Sequence, residues 1–182
     1  MSISQGQILV ARPLLNDGGF KRTVILLAEH NEQGSLGFIL NKPMHLTLKD
    51  VLPAMDHLKL PVYYGGPVAQ NQLFYIHTLG NKISESIHIQ QNYYWSGNFS
   101  ELAEGLKNRT VQPSQIRFFI GYSGWGEGQL QSEVEEKAWG VLDSYTSELI
   151  NKHPDDMWPE QIARLGGNYK VFADLPQEPS LN

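Results

Sequence analysis

The feature that most constrains the fold is a series of short apolar runs separated by turn-forming residues. Three of them come early in the chain: "ILVAR" (8–12), "TVILLAEH" (23–30) and "LGFILN" (36–41). Short runs without a helical period predict strands, and the β-branched second run predicts a strand in the middle of a sheet. The Asn-Asp-Gly-Gly sequence between the first two runs supplies residues that accept the backbone angles of a turn.

Further strand patterns follow in the same style. After residue 61 come "VYYGGPV" and "LFYIHTL", joined by a Gly-Gly-Pro turn. Residues 86–95, "SIHIQQNYYW", alternate apolar and polar side chains and predict one half-buried strand. "IRFFIGY" (116–122) and "WGVLDSY" (139–145) complete the set.

Helical patterns are fewer and do not alternate strictly with the strands. They cover residues 47–52, 98–108, 127–138 and 155–167, and the first two begin with the residue spacing of a capping box. This pattern predicts an α+β fold, with a large mixed, mostly antiparallel sheet flanked by a few helices. We expect a single domain over residues 1–175 and a loose C-terminal tail over residues 176–182.

Composition excludes several classes of protein and site. The chain has no cysteine, which removes disulfides, thiolate metal sites and cysteine nucleophiles and fits a reducing compartment. The longest apolar run, "VILLA" (24–28), is far too short to span a bilayer, and no basic residue precedes the first apolar run as in a secretory signal. We therefore expect a cytoplasmic protein with no membrane contact.

Charge is distributed unevenly along the chain. The formal net charge is −5, but residues 1–126 carry ten basic and eight acidic residues, whereas residues 127–182 carry four basic and eleven acidic residues. The acidic last third would repel a phosphate backbone, so we expect no nucleic-acid partner.

The stretch "GYSGWGEGQLQSEVEE" (121–136) places four glycines between a predicted strand and a predicted helix. A P-loop would need Lys and Ser or Thr after Gly128, where Gln129 and Leu130 stand, and a dinucleotide-binding loop would need a different glycine spacing. The nucleophile-elbow pattern G-x-S-x-G is also out of register with Ser123. The simplest interpretation is a sharp corner against which Trp125 packs, and the alternative is that this corner forms the floor of a binding cleft.

Metal and cofactor chemistry has no support in the spacing of ligand-type residues. No two of the six histidines lie three or four residues apart, so no helical ligand pair exists. We expect no metal and no cofactor, and we interpret the histidines at the strand ends, His30 and His77, as structural hydrogen-bonding groups.

Taken together, these motifs resemble the AlgH/YqgE family. The resemblance rests on residues 6–43, on "YYGGPV" followed by "LFYIH", on "GYSGWGEGQLQSEV" and on Trp139. It covers nearly the whole chain, with Asn92 standing where a glycine is expected and Ser123 where alanine is also accepted, which argues against a serine nucleophile. The resemblance implies a compact α+β fold but no reaction, because the family's label of transcriptional regulator rests on a genetic association with alginate production.

Three functions stay open from the sequence. The first is a regulatory module that binds a small molecule or a protein without direct DNA contact. Its predicted surface has no catalytic residue and comprises Asn41, Gly65, Gly66, Pro67, His77, Gly124, Trp125, Gln129 and Glu133.

The second possibility is a hydrolase or transferase. In it His30 or His77 would be a general base, with Glu29 or Glu133 beside it. The third is a DNA-binding transcriptional regulator, although no helix-turn-helix pattern is present.

Overall fold

The computed structural model describes residues 2–13, 15, 18–55, 58–144 and 149–175. In this part of the chain the strands are β1 (Ile8–Ala11), β2 (Val24–Asn31), β3 (Gly34–Ile39), β4 (Pro43–Thr47), β5 (Pro61–Tyr64), β6 (Val68–His77), β7 (Ile87–Gln90), β8 (Tyr93–Trp95), β9 (Ile116–Gly126) and β10 (Trp139–Leu142). The helices are α1 (Leu48–Val51), α2 (Phe99–Lys107), α3 (Gln129–Glu135), α4 (Pro154–Arg164) and α5 (Lys170–Ala173).

All of these strands join one sheet, in the order β10-β1-β2-β3-β9-β6-β8-β7, with β4 and β5 branching from β9. The pairs are antiparallel except β5 with β9, which is parallel. The prediction of an α+β fold with a large mixed, mostly antiparallel sheet is therefore confirmed. The single-domain boundary stays a prediction, and the predicted loose tail, 176–182, lies outside the described residues.

The core consists of three clusters of buried side chains, and a helix contributes to each of them. α4 packs Trp158 and Ile162 into the first cluster, and α2 packs Leu102 into the second. α3 contributes Leu130 to the third, beside Trp125 of β9. Burial of these apolar side chains is the main favourable contribution to folding. None of the helices in the described ranges is long and apolar enough to cross a membrane.

β9 is the central strand, and it has partners along both edges. β6 pairs with one edge from Ile116 to Tyr122. On the other edge, β5 pairs beside residues 118–120 and β3 pairs beside residues 123–126. The change of partner occurs at Gly121, which has a left-handed φ of 70°. A glycine suits this position because other residues are strained there.

The backbone of Gly65 and Gly66 is inserted between β3 and β9, and we call these two residues the wedge. The Gly65 amide donates to the Ile120 carbonyl at 2.9 Å, and its carbonyl accepts from the Ile39 amide at 3.0 Å. A Cβ atom on Gly65 would lie 2.1 Å from the Gly121 oxygen, and one on Gly66 would lie 2.3 Å from the Tyr122 carbonyl carbon. Only residues without a side chain permit this approach of two backbones, so the Gly-Gly-Pro turn is also a packing element.

Two sequence predictions are wrong in detail. Where the corner was predicted, β9 continues as a strand to Gly126, because Gly124 and Gly126 pair with Leu36 and Gly34 of β3. The left-handed glycines of this stretch are instead Gly121 and Gly128.

The predicted strand over residues 86–95 is a hairpin of β7 and β8. The chain turns at Gln91, which has a φ of 49°. The turn was missed because no glycine marks it and the alternating pattern continues across it.

We predict that Gly65→Ala destabilises the protein by steric clash alone, because Gly65 itself does not have a left-handed φ. Forcing a methyl group into this junction should lower the free energy of unfolding by about 1–3 kcal/mol. For a chain of this length the melting temperature should then fall by roughly 2–4 °C per kcal/mol, as measured by calorimetry.

Gly126→Ala is the matched control for this prediction. The nearest atom to its added Cβ would be the Gln129 Oε1, at 3.9 Å, so the melting temperature should change little. Equal effects of the two substitutions would contradict the wedge role of Gly65.

Candidate functional site

The half-buried side chain of Glu133 is the centre of a hydrogen-bond network that joins two buried tryptophans to the exposed Gln129. Its Oε2 accepts hydrogen bonds from two indole groups, Trp125 Nε1 at 2.9 Å and Trp139 Nε1 at 2.8 Å. Its Oε1 accepts from Gln129 Nε2 at 2.9 Å, one turn earlier on α3. Gln129 Oε1 in turn accepts from the Gly126 amide at 3.0 Å. One carboxylate therefore ties α3 to both β9 and β10.

This network includes three residues that the sequence analysis placed on the predicted binding surface, Trp125, Gln129 and Glu133. Trp125 is 6% exposed and Trp139 is 2% exposed, and their rings meet edge to face with centroids 6.1 Å apart. The Trp125 indole N–H and both polar atoms of Gln129 already have protein partners, and together with Glu133 they support the end of β9. Trp125 can therefore offer a ligand its ring but not its N–H group.

A cleft lies directly beside this support, between the β2–β3 hairpin and the end of β9. We call it the hairpin cleft, and its volume is about 370 Å³. Its lining residues are Glu29, Asn31, Gln33, Gly34, Ser35, Leu36, Val68, Tyr122, Gly124 and Trp125.

The lining of the hairpin cleft combines hydrogen-bonding and apolar groups. Glu29 enters it from β2, next to a register shift in which Ala28 is the extra residue. Such β-bulges commonly redirect a side chain at a functional site. Val68, from β6, is 37% exposed, so the lining also offers an apolar surface. The cleft can thus hold a ligand that has both polar and apolar parts.

The predicted surface residues separate into two groups in the structure. Gly124, Trp125, Gln129 and Glu133 lie together at the C-terminal end of β9. Gly65, Gly66 and Pro67 lie next to them at the strand junction, where the Ser123 hydroxyl donates to the Gly65 carbonyl at 3.1 Å.

The other two predicted residues differ in position: Asn41 precedes Lys42, whose carbonyl accepts from the Tyr64 amide beside Gly65 at 2.8 Å, whereas His77 lies away from the group. His77 pairs with Ile116, nine residues before Trp125 on β9, which corresponds to roughly 30 Å of extended chain. Asn41 holds the start of β2, where its Oδ1 accepts from the Val24 amide at 2.9 Å and its Nδ2 donates to the Arg22 carbonyl at 2.9 Å.

His77 is fully buried and both of its ring nitrogens are engaged. Nδ1 accepts from the Leu79 amide at 3.2 Å, so in the neutral ring the proton is on Nε2, which lies 3.1 Å from the Ser96 carbonyl. The Ser86 hydroxyl is also 3.1 Å from Nε2 but donates its own hydrogen to the Ile83 carbonyl. Burial lowers the pKa of His77. The Nδ1 lone pair of His77 is therefore occupied by a structural hydrogen bond. Among the described contacts, His77 has none with Glu29 or Glu133.

His30 is the other histidine of the enzyme hypothesis. Its Nδ1 lies 2.7 Å from the Ser35 hydroxyl across the β2–β3 hairpin. Within the described ranges no group of three or more His, Asp or Glu side chains is arranged to hold a metal ion. The expectation of no metal site stays a prediction.

Sequence reasoning missed most of the hairpin cleft. It treated "NEQGS" (31–35) as a hairpin loop, but Asn31, Gln33 and Ser35 all face the cleft, and Tyr122 and Val68 join them from β9 and β6. The available signal was the polar composition of this loop. This signal could not reveal the cleft from the sequence, because the hairpin contacts β9 only by pairing between strands that are far apart in the chain.

Comparisons with known proteins give consistent matches over the whole chain. The family model described as "DUF179: AlgH-like" matches residues 8–170. A "UPF0301 protein" from Cytophaga hutchinsonii is 39% identical over 181 residues, covering 99% of this chain and 100% of that protein. A "UPF0301 protein" from Chlorobium luteolum is 38% identical over 180 residues, covering 99% and 95%.

Two solved structures also resemble this one. The solution structure of the AlgH protein from Pseudomonas aeruginosa has a TM-score of 0.72 at 27% identity, covering 98% of this chain and 100% of that one. The crystal structure of DIP2367 from Corynebacterium diphtheriae has a TM-score of 0.76 at 22% identity, covering 96% and 94%. The second likeness shows the fold alone.

We predict that Glu133→Gln weakens the support beside the hairpin cleft. The amide keeps one acceptor oxygen but turns an N–H₂ group toward donors, which costs about 1–3 kcal/mol of unfolding free energy. Denaturant unfolding followed by tryptophan fluorescence measures this change. Glu136→Gln removes the same charge from an exposed residue at the end of α3 and should have little effect. Equal effects of the two variants would contradict the network.

We also predict a pH dependence of stability from His77. Because its folded pKa lies below the ordinary value of 6.5, the unfolded chain binds the proton first, and the stabilisation present above pH 6.5 is lost as the pH falls. The slope from this group is at most about 1.4 kcal/mol per pH unit. Urea unfolding of His77→Gln between about pH 5 and 7 should show a shallower slope than the wild type, and an unchanged slope would contradict the assignment.

Proposed function

The chain belongs to the AlgH-like family, and within that family we propose that it is a cytoplasmic regulatory module that binds a small ligand or a partner protein without direct DNA contact. The observation that supports this proposal is the hairpin cleft. Its volume, about 370 Å³, lies within the range of small-molecule sites in proteins. The absence of cysteine fits the reducing compartment.

The lining of the cleft favours a particular chemistry. The Glu29 carboxylate and the side chains of Asn31 and Gln33 favour a ligand that offers hydrogen-bond donors, such as an amine or several hydroxyl groups. Leu36 and Val68 favour an apolar part in the same ligand. We therefore place a small amphipathic ligand first and a partner protein second. The Glu133 network holds the Trp125 side chain that lines the cleft, and a preformed wall reduces the entropy lost on binding.

The hydrolase or transferase alternative has less support. It needs a histidine and a carboxylate within hydrogen-bond reach in a concave site. Over the described residues, the histidine–carboxylate contact within 4.0 Å is His153 Nδ1 with Asp155 Oδ2, at 3.9 Å, and both side chains are mostly exposed. His30 is the better-placed histidine, because its partner Ser35 lines the cleft. Binding without chemistry needs no such pair.

The DNA-binding alternative is disfavoured by charge. Residues 127–182, which include α3 and α4, carry eleven acidic and four basic residues. A recognition helix in this region would approach the phosphate backbone against electrostatic repulsion.

We predict that Gly124→Ala blocks ligand binding in the hairpin cleft. The added Cβ would lie 3.2 Å from the Tyr122 ring and 3.5 Å from Val68 Cγ2, so it narrows the cleft without a left-handed φ. Untagged protein is purified and its retained small molecules are identified by mass spectrometry, and a metabolite library is screened by thermal shift. A ligand found this way should bind at least about tenfold more weakly to Gly124→Ala, whose methyl group occupies space in the cleft, and to Glu29→Gln, which loses a charged hydrogen bond.

Two matched controls make this test specific. Gly126→Ala adds the same methyl group to the same strand outside the cleft, and Glu32→Gln removes a charge from the same hairpin outside the cleft. Both should bind like the wild type. A ligand that all variants bind equally would contradict the site. Submicromolar, sequence-dependent binding to duplex DNA in a gel shift, or a hydrolytic activity lost in His30→Ala, would favour the alternatives.

A further inference from the structure

A second cleft lies at the other end of the β2–β3 hairpin and shares no lining residue with the hairpin cleft. We call it the basic cleft, and its volume is about 480 Å³. It is lined by Gly18, Lys21, Arg22, Asn41, Lys42, Pro43 and Asp155. Three of these residues are cationic and one is acidic. This balance contrasts with the net charge of −5 of the whole chain.

Arg22 is held in the basic cleft by the surrounding structure. Its φ is 54°, in the left-handed region that a residue other than glycine rarely adopts. Asn41 fixes this backbone by accepting from the Val24 amide and donating to the Arg22 carbonyl, both at 2.9 Å. A strained conformation that is stabilised in this way is a common feature of binding sites.

The guanidinium of Arg22 is oriented but not neutralised. It lies over the Trp158 ring, 4.1 Å from the centroid, and Trp158 is itself anchored by an indole hydrogen bond to the Ala11 carbonyl at 2.8 Å. Apart from this ring contact, the described residues give the Arg22 guanidinium no hydrogen bond and no ion pair. Partial burial lowers its pKa, because the charged form has lost part of its hydration. An anion bound at the N–H groups of Arg22 would replace the hydration that the guanidinium has lost.

Two lysines lie beside Arg22. Lys42 follows Asn41 directly and is half-buried, with Nζ donating to the Gly19 carbonyl at 2.8 Å. Lys21 is exposed. The Asp155 carboxylate reaches the cleft from the first turn of α4 and is mostly exposed. Counted over its described lining residues, the cleft therefore carries a net positive charge around a preoriented guanidinium.

We propose that the basic cleft binds the phosphate group of a small phosphomonoester. A guanidinium fork and neighbouring ammonium groups match the geometry and double charge of a phosphate. The cleft volume leaves room for an organic part, and Asp155 and the acidic last third disfavour a continuous polyanion such as nucleic acid. This site is independent of the hairpin cleft, so either proposal can fail without the other.

The experiment titrates the protein with inorganic phosphate and with phenyl phosphate, followed by ³¹P NMR and calorimetry. Arg22→Gly removes the guanidinium and places glycine at a left-handed position, so it adds no backbone strain. Its control is Arg109→Gly, because Arg109 is also left-handed, with a φ of 59°, but is exposed and lies outside the cleft. Both variants remove one positive charge, so a general charge effect would change both equally.

We expect saturable binding of both phosphate compounds to the wild type. Affinity should fall by at least about tenfold in Arg22→Gly, as for the loss of a charged hydrogen bond, and stay unchanged in Arg109→Gly. Lys21→Ala, compared with Lys107→Ala, provides a second pair with exposed side chains in case Arg22→Gly does not fold. It should weaken binding severalfold while Lys107→Ala does not.

Three results would overturn the proposal. The first is no saturable binding of phosphate by the folded wild type, and the second is an equal loss of affinity in the cleft variants and their controls. The third is binding of inorganic phosphate alone, which would exclude a phosphomonoester. A short single-stranded oligonucleotide that binds while both phosphate compounds do not would make the cleft a nucleic-acid contact instead.

Discussion

The structure depends on β9 having a hydrogen-bonded partner along both of its edges. β6 occupies one edge, and β5 and β3 divide the other. This division is possible because Gly65 inserts its backbone between β3 and β9 and Gly121 takes a left-handed φ where the partners change. An unpaired backbone group at this buried junction would cost about as much as a lost hydrogen bond, and a side chain at Gly65 would force that loss.

The Glu133 network extends the same constraint to the edge of the sheet. β10 is the edge strand, and it pairs with β1 on its inner side. Through Glu133, the indoles of Trp125 and Trp139 fasten both β9 and β10 to α3. Hydrogen bonds to a charged carboxylate are stronger than the same number of hydrogen bonds between neutral groups. The hairpin cleft therefore lies beside a part of the sheet that is tied to α3 by side-chain hydrogen bonds.

The β2–β3 hairpin connects the two clefts. Its tip, with Glu29 and Ser35, lines the hairpin cleft, whereas its base lies next to Arg22 and Asn41 of the basic cleft. The two clefts differ in charge, because the described lining of the hairpin cleft has one carboxylate and no cation, whereas that of the basic cleft has three cations and one carboxylate. A single pair of strands thus presents two chemically distinct surfaces, and both fit a module whose role is binding.

Sequence by itself determined the class of fold and most of its elements. Short β-branched runs between turn residues indicated a mixed sheet, and the capping residue Asn98 marked the start of α2, where its side chain accepts from the Ser100 and Glu101 amides. These features are local, since strand period and helix caps depend on residues a few positions apart. The prediction over residues 86–95 was wrong because the turn at Gln91 has no glycine.

Tertiary structure alone decided which predicted residues meet. Trp125, Gln129 and Glu133 belong to one stretch of nine residues and lie close together, but their polar groups bind each other. His77 was grouped with them and lies at the far end of β9, because strand register sets distances that spacing does not. Both clefts arise where segments far apart in sequence come together, as when Arg22 reaches Trp158 of α4. Local pattern can specify elements, but only the packing of the complete sheet brings their side chains into one site.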